Sequence, residues 1–139
     1  MHKKIHFYLV TLPIYAISIF YFFCVISAYF YPGSEKEIID YKSDNYSFTH
    51  NFFSELGCLK TNTDETNPRI LNKDNTFSMI LFNSGLILIG ITIVMFYYTF
   101  EKLFILLNDK TNLNYSKLTK PLGILSGIFF SGVGFVPHD

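Results

Sequence analysis

The residue types able to do chemistry gather at two places in the 139-residue chain: His50, Asn51, Ser54 and Glu55 in its middle, and His138 with Asp139 at its end. Histidine and carboxylate are the groups that bind metal ions or carry protons. Two chemistries follow. In the first, His50, His138 and Asp139 hold a metal such as zinc and Glu55 is a base, so that His50, Glu55 and Asp139 are the catalytic candidates of a lipid hydrolase. In the second, no cofactor is needed: Ser54, Glu55, Asn83 and Asp139 hydrogen-bond to one another as a structural polar cap. His50 and Glu55 are five residues apart, not the three or four that share a helical face, so a helix would not bring them together. The second, non-enzymatic reading is therefore the expectation.

The elements that must position these groups are set by where the apolar residues lie. Half of the chain is hydrophobic and only 16% is charged, and the apolar residues stand in unbroken blocks instead of recurring at core spacing. Residues 7–31 carry no charge, and neither do residues 78–100, with Phe96, Tyr97, Tyr98 and Phe100 crowding one end. A third block, 118–136, is rich in glycine. Each is long enough to cross roughly 30 Å of hydrocarbon as a helix, which predicts an all-α integral membrane bundle, one domain of about three transmembrane helices, with the lipid bilayer as its partner. Residues 7–31 exceed the roughly 7–15 residues of a signal-peptide core and form an uncleaved anchor. Pro13 should kink or locally loosen this span, and Pro32-Gly33 stops it.

Small residues locate packing. Gly123, Gly127 and Ser131 form a shallow row on the third span, and Asn83, Ser84, Gly85 and Gly90 are the polar or small positions of the second; such strips face other helices. Cys24 lies inside the first block and Cys58 in the polar segment after it, depths too different for a disulfide. With a formal net charge of zero and no basic run, nothing points to nucleic acid.

Lysine placement gives orientation. Lys3 and Lys4 precede the first span, and Lys102, Lys110, Lys117 and Lys120 outnumber Glu101 and Asp109 around the connection 101–117, so both belong in the cytoplasm by the positive-inside rule. The connection 32–77 holds eight acids against five bases and belongs outside. The amino terminus is then cytoplasmic, the carboxyl terminus outside, and the plasma membrane the expected location. Within the outer loop, Phe48, Phe52, Phe53 and Leu56 share one side if the segment 48–59 is helical, and Gly57 would end that helix. Asn45-Tyr46-Ser47 and Asn114-Tyr115-Ser116 both fit the sugar-acceptor pattern; falling on opposite sides, they cancel as a signal.

Three stretches in order, HNFFSELG at 50–57, LFNSGLILIG at 81–90 and GVGFVPHD at 132–139, resemble the signature of the uncharacterised bacterial and archaeal membrane family catalogued as domain of unknown function 998, which is loosely similar to DRAM and Sfk type membrane proteins. The resemblance implies a bundle of about six helices with no assigned activity. It picks out Ser54, Glu55, Leu56, Gly57, Asn83, Gly85, Pro137 and Asp139. Because the family continues past the position of Asp139, it also implies that three spans are half a bundle, a fragment or shortened member completed by further C-terminal helices or by a homo-oligomer. Small-solute transport is a further alternative with less behind it, since no span contains an ionisable residue of the coupling kind.

Overall fold

The computed structural model describes residues 2–63 and 65–136. Three long helices dominate it: α1 (His2–Phe30), α2 (Thr76–Leu107) and α3 (Lys110–Phe135), all long and apolar enough to cross a membrane by length and composition. Pro13 has no N–H and its ring crowds the preceding turn. The chain answers upstream of it with a π-helical stretch, Phe7–Thr11, in which the Leu12 N–H reaches the Phe7 carbonyl; a single widened turn absorbs the proline without breaking α1.

Both flanks of the α2–α3 connection differ from the loop expected over 101–117. That segment is helical except at Asn108 and Asp109. Asn108 takes the left-handed conformation (φ 53°) that ends α2, and the Asp109 carboxylate starts α3 by accepting the Asn112 N–H at 3.0 Å. Glutamate, lysine and leucine are good helix formers, so the helices continue past the charge-free blocks until these two caps stop them. Pro121 is accommodated inside α3.

α2 packs against both other helices, whereas α1 and α3 scarcely touch among the described residues. The three form a row with α2 in the middle. α1 is pinned to α2 by a reciprocal pair of buried bonds: Ser27 Oγ donates to the Ser78 carbonyl at 2.8 Å and Ser78 Oγ to the Ser27 carbonyl at 3.0 Å. Such hydroxyl bonds contribute about 0.6–1.7 kcal/mol each in an apolar setting. The α2–α3 seam is closer. Built onto Gly127, a Cβ would stand 2.7 Å from the Gly90 carbonyl oxygen, and one on Gly134 would stand 2.6 Å from that of Asn83. Tyr97 lies flat over Gly123. The row Gly123, Gly127 and Ser131 thus faces α2 of the same chain, and Ser131 Oγ reaches the Ile87 carbonyl at 3.5 Å.

Residues 31–63 and 65–75 fold back over the end of the helices that α1 leaves and α2 enters. An antiparallel hairpin, β1 (Ser34–Lys36) and β2 (Tyr41–Ser43), pairs Ser34 with Ser43 and Lys36 with Tyr41. Gly33 at φ +83° makes the turn into it, with the Ser43 carbonyl oxygen where a Cβ would sit; only glycine fits there. Within 48–59, where the apolar spacing would suit a helix, the helical part is one short 3₁₀ segment, Phe53–Gly57. Its Leu56 is fully buried and, with Cys24, Tyr31, Phe82 and Leu86, forms the apolar core under the cap.

Candidate functional site

The cap is organised around one carboxylate. Its position is set locally: Asn51 closes a turn on Ser47, its N–H reaching the Ser47 carbonyl at 2.8 Å while its Oδ1 accepts the Ser47 N–H at 2.9 Å. The Glu55 side chain then folds back, and Oε1 accepts the Phe52 N–H at 2.9 Å. That bond caps the start of the turn at Phe52, and the backbone turns extended again at Cys58 (φ −79°, ψ 145°), so the apolar residues of 48–59 do not form one stripe.

Long-range donors complete the shell. Lys36 Nζ, from β1, lies 2.6 Å from Glu55 Oε1 and 2.7 Å from the His50 carbonyl, and sits 5.1 Å over the Phe52 ring. On the other oxygen, Oε2 accepts from Asn51 Nδ2 at 2.7 Å and from the Tyr31 hydroxyl, at the end of α1, at 3.0 Å. Asn51 Nδ2 also reaches Ser34 Oγ at 2.6 Å. One side chain thereby ties α1, the hairpin and the 3₁₀ turn together. Both members of the ion pair are only 21% exposed, so the charges are poorly screened and the charge-assisted bonds are strong.

Burial pushes the Glu55 carboxyl upward, but the Lys36 ammonium, the Phe52 N–H, Asn51 and Tyr31 together outweigh it and hold the group below the usual carboxylate value of 4.5. Burial, then the Glu55 charge, pushes the Tyr46 phenol up. A carboxylate kept ionised by a cation and three further donors is a weak base and a firm anchor. The sign of the pH dependence follows: a group lowered in the folded state contributes stability above its unfolded value and loses it as pH falls through the folded one. The melting midpoint in detergent should therefore fall as pH drops below 4.5. Glu55→Gln should cost about 1–3 kcal/mol of stability at neutral pH, lowering the midpoint there, and remove much of that acid limb. Unchanged melting, with the acid limb intact, would contradict the anchor role.

The other sequence candidates lie apart from this centre. The His50 ring stacks on Tyr41 at 4.2 Å and 7° and is exposed, with Nδ1 at 2.8 Å from Thr49 Oγ1; only its backbone carbonyl joins the network. Ser54 is exposed and outside the carboxylate's shell. Buried Asn83 donates to the Gly57 carbonyl at 3.3 Å, binding α2 to the 3₁₀ turn and not to Glu55. Pro137, His138 and Asp139 lie outside the described residues. Among the described residues no group of three or more His, Cys, Asp or Glu is disposed around a common point for a metal.

Lys36, Tyr31 and Asn75 are the participants the sequence did not single out. Asn75 Nδ2 faces the carbonyls of Glu55 at 3.2 Å and Cys58 at 2.8 Å, stitching the 3₁₀ turn to the start of α2. Its place just before a charge-free block marks a helix start, but nothing local says that its side chain turns away from its own helix. Beside the anchor, Tyr31, Ser34, Lys36, Phe52, Glu55 and Thr61 line part of an open cavity of about 230 Å³. The chain matches no family model, no curated protein and no solved structure.

Proposed function

We propose that this chain is an integral membrane protein, without catalytic activity, whose segment 32–77 is an outward-facing polar cap closing one end of a helix bundle. The observation that carries the cap is the saturation of Glu55 by Lys36, Asn51, Tyr31 and the Phe52 N–H, which uses the carboxylate to hold elements together. Support for the bilayer comes from large apolar side chains exposed along all three helices, such as Ile14, Tyr21, Phe22, Ile91, Leu122 and Phe129. Such surface is costly in water and fits hydrocarbon.

The amino terminus and the α2–α3 turn are then cytoplasmic, because their lysines flank the ends opposite the cap, and the membrane is the plasma membrane. The row arrangement, with α1 and α3 scarcely touching, supports a bundle completed by other helices, either a second copy or further segments like those of the family it resembles. Membrane and orientation are tested together by single cysteines in a background of Cys24→Ser and Cys58→Ser. A membrane-impermeant maleimide applied to intact cells should label Ile38→Cys, at a position 95% exposed in the cap, and reach Leu107→Cys only after permeabilisation. Labelling of both in intact cells removes the spanning reading, and the reverse pattern removes the orientation.

A further inference from the structure

At the end of the helices opposite the cap, an open cavity of about 420 Å³ lies between the first turns of α1 and the last third of α2. Its walls include Ile5, Tyr8, Met95 and Tyr98, and Lys4 and Lys102 stand at its rim. Ile5 is seated in the fold at 5% exposure while both lysines are exposed. Acidic residues are scarce at this end: residues 1–31 have none, and residues 95–120 have Glu101 and Asp109. Each already holds a partner, and that of Glu101 is itself at this cavity, for Lys120 Nζ lies 5.0 Å over the Tyr98 ring. Glu101 pairs with Lys120 of α3 at 2.9 Å, and Asp109 caps α3 through Asn112. Lys102 Nζ rests 4.7 Å over the Tyr98 ring, and among the described residues neither Lys4 nor Lys102 forms an ion pair with an acid.

We infer that this cavity holds the headgroup of an anionic phospholipid, an inference that rests on the membrane reading above. Two ammoniums from different helices, neither in an ion pair with a carboxylate among the described residues, complement a phosphodiester. The isoleucine, methionine and tyrosine walls below them suit the first carbons of an acyl chain, and the tyrosine hydroxyls suit the interface between the two. A basic pocket between spans at the cytoplasmic surface also meets the leaflet where anionic lipids concentrate. Free phosphate matches the ammoniums but leaves the apolar walls unused, so the occupant is the lipid.

The test measures lipid carried through purification by native mass spectrometry after reconstitution in vesicles of phosphatidylcholine with phosphatidylglycerol. The native chain should retain phosphatidylglycerol preferentially. Lys4→Gln with Lys102→Gln should reduce that retention by about tenfold, Lys4→Arg with Lys102→Arg should preserve it, and Lys110→Gln with Lys117→Gln, which removes equal charge at the same end away from the cavity, should leave it within about twofold. Equal losses in the two glutamine pairs, no preference in the native chain, or displacement by inorganic phosphate would each overturn the site. Flotation separates the two readings: a chain that floats with neither phosphatidylcholine nor mixed vesicles overturns the membrane reading and this inference with it, whereas one that floats without lipid preference overturns the site alone.

Discussion

Asn75→Asp is expected to loosen the cap while leaving the three helices formed. The substitution changes almost no volume, so packing is not the cause. Asn75 is 2% exposed, and its Nδ2 donates to the carbonyls of Glu55 and Cys58, with that of Leu56 at 3.5 Å. An aspartate there replaces the donors by lone pairs facing two or three carbonyl oxygens, and it places an unpaired charge where water is excluded. Unmatched buried charge of this kind costs about 3–5 kcal/mol. Part of that is avoided by protonating the group, whose pKa must rise for want of solvent or a cation. The signature is therefore twofold. Amides of residues 53–62 should lose protection from hydrogen exchange while those of residues 80–95 keep it, and the deficit relative to native protein at the same pH should shrink on acidification. Asn75→Ala, which leaves the carbonyls unpaired but adds no charge, should cost less and show no such pH response. An aspartate variant with native exchange rates over 53–62 would show that the three carbonyls do not depend on this amide.

Asn75 also marks what the sequence could and could not reveal. The three apolar helices were legible because each is signalled by a run of composition that tolerates local error: no charge from 7 to 31 or from 78 to 100. Their ends were not, since Glu101, Lys102 and the residues from Lys110 to Lys117 are polar yet helix-compatible, and polarity alone does not distinguish a loop from a helix leaving the apolar zone. Glu55 and Asn83 could be picked out as polar groups beside or within apolar blocks; Glu55 lies in the cap, and Asn83 lies on α2 and bonds to it. Their partners could not, because Lys36 and Glu55 are 19 residues apart and Asn75 and Cys58 are 17 apart. Such pairings depend on how the hairpin and the 3₁₀ turn fold back over the helix ends, which no periodicity encodes. The segment 48–59 shows the same limit from the other side. Its apolar spacing suits a helix, but helical backbone begins only after Phe52, where Glu55 caps it, and stops at the extended Cys58.

Gly127→Val tests the seam that makes α2 and α3 a unit. A bare Cβ at Gly127 would already stand 2.7 Å from the Gly90 carbonyl oxygen, 2.8 Å from Val94 Cγ2 and 2.9 Å from the Val94 nitrogen. Two of these three are backbone atoms of α2, which cannot swing aside as a flexible side chain would, and valine adds two methyl groups beyond the Cβ. The helices must separate, and with them go the contacts at Gly90, Gly134 and Ser131 that share the same closest approach. Valine is the better helix former by a few tenths of a kcal/mol, but overpacking of a tight contact costs about 1–3 kcal/mol and more when backbone must move, so the balance is destabilising. Gly132 supplies the control, for nothing lies within 4 Å of a Cβ built there, and Gly132→Val should leave stability nearly unchanged. Denaturation in mixed micelles followed by helical circular dichroism reads both. The same pair of variants separates packing within one chain from packing between copies. If the row Gly123, Gly127 and Ser131 served only to join two copies, Gly127→Val would shift the oligomer distribution and spare the unfolding of the monomer; contact with α2 of the same chain requires that the monomer itself unfold more easily.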